Sequence, residues 1–320
     1  MEAAIGLSLI AFPEPEEFRA FYHWIADKRI FRNLSLPGFD AEPVFELSYA
    51  MDEKYLEAVS RESARIVSVH APCPHTEILP NLGSEDSEVV DESLAVIRAS
   101  AGTASRFGAD ILVIHAGYAT NRRMYTVYER RREVLETENW NSSYIMEPEG
   151  MICSPGYCES PGYRRHLERV ILNLPRAIGE CRKLGVTLAV ENINPRITYL
   201  PQRPEDMLYI SDRVPDVSFC LDFGHLWLSS LVHRFDFLEA AEHIIGTGRV
   251  ITTHIHNNHS RIQSDPVYSD DHLGVENGNL PFHWIPELLR RGGVKRWIIE
   301  SGDDPLGSLR FLYQSLSQGL

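Results

Sequence analysis

Lysine is nearly missing from this chain. Lys28, Lys54, Lys183 and Lys295 are the only ones in 320 residues, and the formal charge is −14. A duplex-binding surface needs a basic stripe to displace phosphate counterions, so this balance argues against a nucleic-acid partner. Long apolar runs are absent as well. Nothing approaches the roughly 18–20 residues that span a bilayer, and Pro13 to Glu17 stops the N-terminal run early. No segment has the shape of a cleavable signal. These absences predict a cytoplasmic protein without membrane contact. The five cysteines are scattered, and only Cys153 and Cys158 stand close. A C-x4-C pair without a second pair is a poor zinc motif, and reduced thiols are expected rather than a disulfide framework.

What the chain does contain is a rhythm. With 43% hydrophobic and 24% charged residues it has the composition of a soluble globular protein with ample core. Apolar runs at Ala4–Ala11, Pro43–Ala50, Arg65–His70, Asp110–His115, Val186–Val190, Val217–Leu221, Val250 onward and Val294–Ile299 predict strands. Helices are predicted at Glu16–Lys28, 52–64, Ser87–Phe107, Arg164–Leu184, Pro204–Ser211, Phe235–Ile245, Pro281–Arg291 and Pro305–Leu316. Eight strand-then-helix units predict an α/β fold, a closed (β/α)8 TIM barrel forming one domain over residues 1–320. An open doubly wound sheet would want a Gly-rich phosphate turn after its first strand, and Ile5-Gly6-Leu7 offers none. Residues 118–163 interrupt the rhythm as a long insertion after strand 4. Its arginines (Arg122, Arg123, Arg130, Arg131, Arg132) are matched by acids, so it reads as a solvated charged insertion or as a substrate lid.

The ionisable residues gather at strand ends. His70, His115, Glu191, Asp222, His254 and Glu300 close six of the eight predicted strands, and in a barrel those ends share the face where active sites are built. His225 follows Asp222 on what reads as the same loop. Asp270 and His272 lie in the polar loop after strand 7. Buried carboxylates and imidazoles need partners or a cation, so this assembly predicts a metal site. Nitrogen and oxygen donors without thiolate suit zinc, manganese or iron. Alternation along strand 7 sends His254 and His256 to opposite faces, so they should not serve one ion. No lysine ends a strand, which argues against Schiff-base chemistry.

Taken together, VHAP (69–72), IHAG (114–117), VEN (190–192), LDFGH (221–225), HIHNN (254–258), DDHLGVENGN (270–279) and IIES (298–301) resemble the xylose isomerase-like barrel superfamily. It contains sugar-phosphate isomerases and epimerases together with endonuclease IV (AP endonuclease family 2). Two ligand sets follow from the resemblance. The endonuclease IV pattern of three zinc ions implies His70, His115, Glu191, Asp222, His225, His254, Asp270, His272 and Glu300, all present. The isomerase and epimerase pattern implies one ion on Glu191, Asp222, His254 and Glu300, with the two glutamates moving a sugar proton. The aromatic wedge that follows the first His motif of endonuclease IV is replaced by Cys73, and its doubled His is absent because Leu273 follows His272. The superfamily's Gly-Glu-Gly reads Glu276-Asn277-Gly278. These departures and the acidic charge argue against DNA as substrate.

The resulting expectation is an enzyme with one to three divalent ions (Zn, Mn or Fe), acting on a small sugar- or phosphate-bearing molecule. Phosphoester hydrolysis at a multinuclear site is the first choice, with Glu191 bridging and His256 or Arg196 contacting substrate. The alternative is a one-metal sugar isomerase or epimerase with Glu191 and Glu300 as acid and base. A barrel that keeps metal only for structure, and a multi-iron oxidative enzyme, complete the field.

Overall fold

Strands whose side chains are apolar on both faces have to be covered on both faces, and this chain covers them by rolling its sheet shut. In the computed structural model, which describes residues 3–28, 38–40, 42–137, 144–147, 150–262 and 266–317, eight parallel strands close into a barrel in sequential order. They are β1 (Ala4–Ser8), β2 (Val44–Leu47), β3 (Arg65–His70), β4 (Ile111–Ile114), β5 (Thr187–Glu191), β6 (Ser218–Asp222), β7 (Val250–Ile255) and β8 (Arg296–Ile299). β8 returns to β1, with Ala4 opposite Arg296 and Leu7 opposite Ile299. The predicted barrel is therefore the fold found. Among the described residues no helix is long and apolar enough to cross a membrane.

Helices α1 (Pro15–Lys28), α2 (Glu53–Arg61), α3 (Ser87–Phe107), α4 (Tyr128–Thr137), α5 (Pro161–Arg182), α6 (Pro204–Arg213), α7 (Phe223–His233), α8 (Phe237–Gly246), α9 (Ile285–Arg291) and α10 (Pro305–Ser317) follow the strands. α3 shows why its limits are legible. Asp86 caps it by accepting the Glu88 N–H, and Gly108 ends it at φ 72°, a left-handed turn that costs glycine little. Two helix starts differ from the sequence expectation. α5 begins at Pro161 because Ser160 caps it and proline suits the first turn. The segment after β6 is helix rather than loop: the Asp222 carboxylate accepts the His225 N–H at 2.6 Å and starts α7.

The 118–163 insertion is tied into the barrel mouth by short antiparallel pairs. Gly117–Tyr118 joins Tyr199–Leu200, and Met124–Tyr125 joins Ile78–Leu79. A hairpin of Tyr144–Glu147 and Gly150–Cys153 precedes α5; residues 138–143 and 148–149 lie outside the described residues. All five cysteines are free and buried, as expected of reduced thiols.

Candidate metal centre

Parallel strands deliver their C-terminal residues to one rim, and the predicted residues meet there. His70 and Glu191 are the last residues of β3 and β5, Asp222 the last of β6, and His254 the penultimate of β7. His115 and Glu300 stand one residue beyond β4 and β8. His225 comes from the first turn of α7. The β7 loop is folded back by reciprocal backbone hydrogen bonds between Asn257 and Leu273, which returns Asp270 and His272 to the rim.

Glu191 is the hub. It is 1% exposed, and its oxygens lie 2.8 Å from His70 Nε2, 3.4 Å from His115 Nε2, 3.3 Å from His225 Nδ1 and 3.2 Å from His254 Nδ1. His254 Nδ1 also lies 3.3 Å from Glu300 Oε2 and 3.8 Å from Asp222 Oδ2. His225 Nε2 faces Asp270 Oδ2 at 3.5 Å, and His272 faces both Asp270 and Glu300 at 3.6 and 3.7 Å. Among the described residues three donor groups result, each compact enough for one ion: His70, His115 and Glu191; Glu191, Asp222, His254 and Glu300; and His225, His256, Asp270 and His272. The nine predicted ligands all fall in them.

His254 and His256 fall in different groups, as alternation requires. His256, expected as a substrate contact, is fully buried, lies 3.1 Å from Asp222 Oδ1, and stacks on His272 at 4.0 Å. It is not among the residues lining the cavity, whereas Arg196 is. That cavity, about 280 Å³, opens over His70, His115, Glu191, His225, His272 and Glu300.

The electrostatics suit a cation. Burial opposes ionisation of Glu191, but His254 and His115 hold its carboxyl well below the usual range. Asp270 and Glu300 are lowered against burial in the same way, by His225 and by His254 respectively. The imidazoles respond in kind. Burial works against the charge of His225 and His254, yet Asp222 and Asp270 raise His225, and Cys220 together with Glu300, Glu46 and Glu191 raises His254, each well above the ordinary value. His272 is raised to about 9, burial being overcome by Asp270 and Glu300. His115 goes the other way, lowered by burial. Asp222 Oδ2 is buried without a hydrogen-bond partner, which leaves its lone pairs for a cation. The donor set therefore fits divalent metal.

Several residues of the site were not singled out in the sequence. Glu46, fully buried on β2, accepts the Ser68 hydroxyl at 2.6 Å and lies 2.9 Å from His254 Nε2, behind the face that meets Glu191. Its signal was there to read: one carboxylate inside an otherwise apolar strand. Asn192 pins β5 to β6 through both the N–H and the carbonyl of Asp222. Asn194 donates to Asp270 Oδ2 at 2.6 Å. Arg131, Tyr199 and Tyr49 also line the cavity.

The family described as the xylose isomerase-like TIM barrel matches residues 29–305. Among solved structures, the chain is similar to a D-tagatose 3-epimerase-like protein, at 20% identity and a TM-score of 0.66, with 99% of this chain and 98% of that one covered. It is also similar to the D-allulose 3-epimerase from Methylomonas sp. in complex with D-allulose (14% identity, TM-score 0.61, 98% of each chain). A third likeness is to a Thermus thermophilus protein soaked with zinc chloride (19% identity, TM-score 0.55, 100% of each chain). No curated protein matches significantly. The match over most of the length, on a closed eight-stranded barrel, settles the family: the chain belongs to the xylose isomerase-like TIM barrels.

Proposed function

We propose that this protein is a divalent-metal-dependent sugar isomerase or epimerase in which Glu191 and Glu300 move a carbon-bound proton. The observation that carries the reading is the placing of these two buried carboxylates 3.2 and 3.3 Å from one nitrogen, His254 Nδ1, in a group completed by Asp222. Those four residues would hold the ion. When bound, it polarises adjacent substrate oxygens and so acidifies the C–H between them. The chain supplies the rest. Both glutamates are held ionised, the state required of a ligand and of a base. One takes the proton and, for an isomerase, returns it to the neighbouring carbon; for an epimerase the second carboxylate, having picked up a proton from solvent, delivers that one to the opposite face, and the first then releases its own to solvent. The likeness to sugar epimerases favours this over the hydrolysis preferred from sequence alone.

One observation keeps hydrolysis as a second reading. Among the described residues there are three donor groups rather than one, and Glu191 belongs to two of them. Clustered ions would activate water and stabilise charge on the attacked and leaving oxygens of a phosphoester. Metal content per chain, by elemental analysis of protein purified without chelator or nickel, separates the two. One equivalent, with solvent deuterium entering a ketose, is expected. Two or three equivalents with release of phosphate or alcohol from chromogenic esters would replace the proposal with the second reading.

A further inference from the structure

The cavity over the metal centre has a second polar wall that proton transfer does not use. Arg131 reaches it from α4, inside the insertion, while Arg196 and Tyr199 come from the segment after β5. An Arg131 Nη donates to the Tyr199 hydroxyl at 3.2 Å. The Nε atoms of Arg131 and Arg196 are both buried without a hydrogen-bond partner. Burial opposes the charge of Arg131, and the neighbours that offset it are the phenols of Tyr199, Tyr118, Tyr49 and Tyr128, not a carboxylate. Burial likewise opposes the charge of Arg196. Tyr199 and Asp270 offset it, and Arg131 stands close enough to repel it.

Elsewhere in this acidic chain arginines meet acids as a matter of course. Arg123 reaches Glu88 and Glu92, Arg130 reaches Glu77, and Arg203 reaches Asp206. Among the described residues neither Arg131 nor Arg196 has such an ion pair, and Asp270 is already shared between His225 and His272. Two adjacent, half-buried guanidiniums facing a cavity are costly unless an anion visits them. The charge count selects the anion. A neutral sugar would leave both cations unmatched and a monocarboxylate one of them, whereas a phosphate monoester carries close to two charges and takes guanidinium N–H groups in pairs. Asn194, on the same cavity, offers a buried Oδ1 with no partner as an acceptor for a sugar hydroxyl.

We infer that Arg131, Arg196 and Tyr199 form a phosphate subsite, and that the substrate is a phosphorylated sugar held by its phosphate here while its reacting end meets Glu191 and Glu300. The inference deepens the sugar reading and rests on it for the identity of the rest of the molecule. It is tested on the full chain as purified with its metal, by titrating inorganic phosphate calorimetrically into wild type, R131Q, R131K and R196Q. Arg131→Gln and Arg196→Gln should each weaken phosphate roughly tenfold or more, with Arg131→Lys intermediate and metal content unchanged. Arg131 sits on the insertion helix, so if R196Q does not fold, R131Q decides alone. Equal phosphate affinity in wild type and R131Q, or no binding by wild type, would overturn the subsite. So would loss of metal in step with loss of phosphate.

A second arm separates this from the reaction itself. Fructose 6-phosphate should exchange solvent deuterium with a KM roughly tenfold or more below that of fructose, and R131Q should raise that KM while changing kcat little. A lower KM for the neutral sugar would overturn the inference. Phosphate binding that depends on Arg131, without exchange in any sugar, would leave the subsite standing and count against the sugar reading instead.

Discussion

A carboxylate surrounded by four imidazoles can do only a few things, and Glu191 does the one that organises the site. His70 shows the logic. Its Nδ1 faces the Ala71 carbonyl at 2.9 Å, and donation there turns the Nε2 lone pair toward Glu191 at 2.8 Å. Two electron-rich atoms at that distance need a proton or a cation between them. Glu191→Gln should therefore lose both metal and turnover, with solvent deuterium incorporation falling by about 10²–10⁴-fold. Elemental analysis alongside the exchange assay checks this; an E191Q protein with full metal and full exchange would remove Glu191 from both roles. Glu46 is predicted to act at one remove. Its carboxylate is fixed by Ser68 and backs His254, so Glu46→Gln should cost about 10–100-fold in metal affinity while the fold persists. Competition with a chelator of known affinity measures it. Most of these residues were legible because ionisable side chains at strand ends are costly without a purpose. Glu46 shows only as a lone acid inside an apolar strand, and Arg131 is masked by the surface charges of its helix.

At the scale of elements, the junction of β6 and α7 does three things with five residues. Asp222 ends the strand, caps the helix and offers its remaining oxygen to the donor group. LDFGH reads as a loop in sequence for this reason: an aspartate that looks catalytic is also a good N-cap, and the pattern does not say that both hold at once. Gly224 is the piece that cannot change. A Cβ there would overlap the His256 ring, itself stacked on His272, so neither ring can yield without disturbing Asp222 or Asp270. Gly224→Ala should destabilise by about 1–3 kcal/mol through overpacking and displace His256 from its group. Thermal unfolding with and without chelator reads both effects; an unchanged melting temperature and unchanged metal response would show that the rings have room to move. The barrel itself was readable from its alternation, since both-face burial leaves continuous apolar runs separated by capped amphipathic helices. The insertion was not. Its contacts with Tyr199–Leu200 and Ile78–Leu79 are two-residue pairings that no periodicity announces.

For the whole molecule, the balance of charge at the mouth decides how metal and stability are linked. The rim gathers four buried acids, Glu46, Glu191, Asp222 and Glu300, and the partly buried Asp270, against the imidazoles of His70, His115, His225, His254, His256 and His272. Without an ion, protons on the imidazoles are the counter-charge nearest to these acids. His225 and His254 are raised well above the ordinary range, and His272 moves from 6.5 to about 9. A group whose pKa is raised by folding stabilises fully below its unfolded value, and that stabilisation is lost as pH climbs through its folded value. For His272 that window runs from 6.5 to about 9. Chelated protein should accordingly lose stability across this interval, as protons leave and the carboxylates face one another uncompensated. Metal-loaded protein should not, because the ion replaces the protons, and its affinity rises as they become easier to displace. The expected result is a gap between loaded and chelated stabilities that widens with pH and amounts to about 2.7 kcal/mol where free metal stands at 100 times its dissociation constant. Calorimetric titration in buffers of different ionisation enthalpy should show protons released on binding, fewer as pH rises. A gap that narrows with pH, or binding without proton release at neutral pH, would mean that the imidazoles are neutral before the metal arrives.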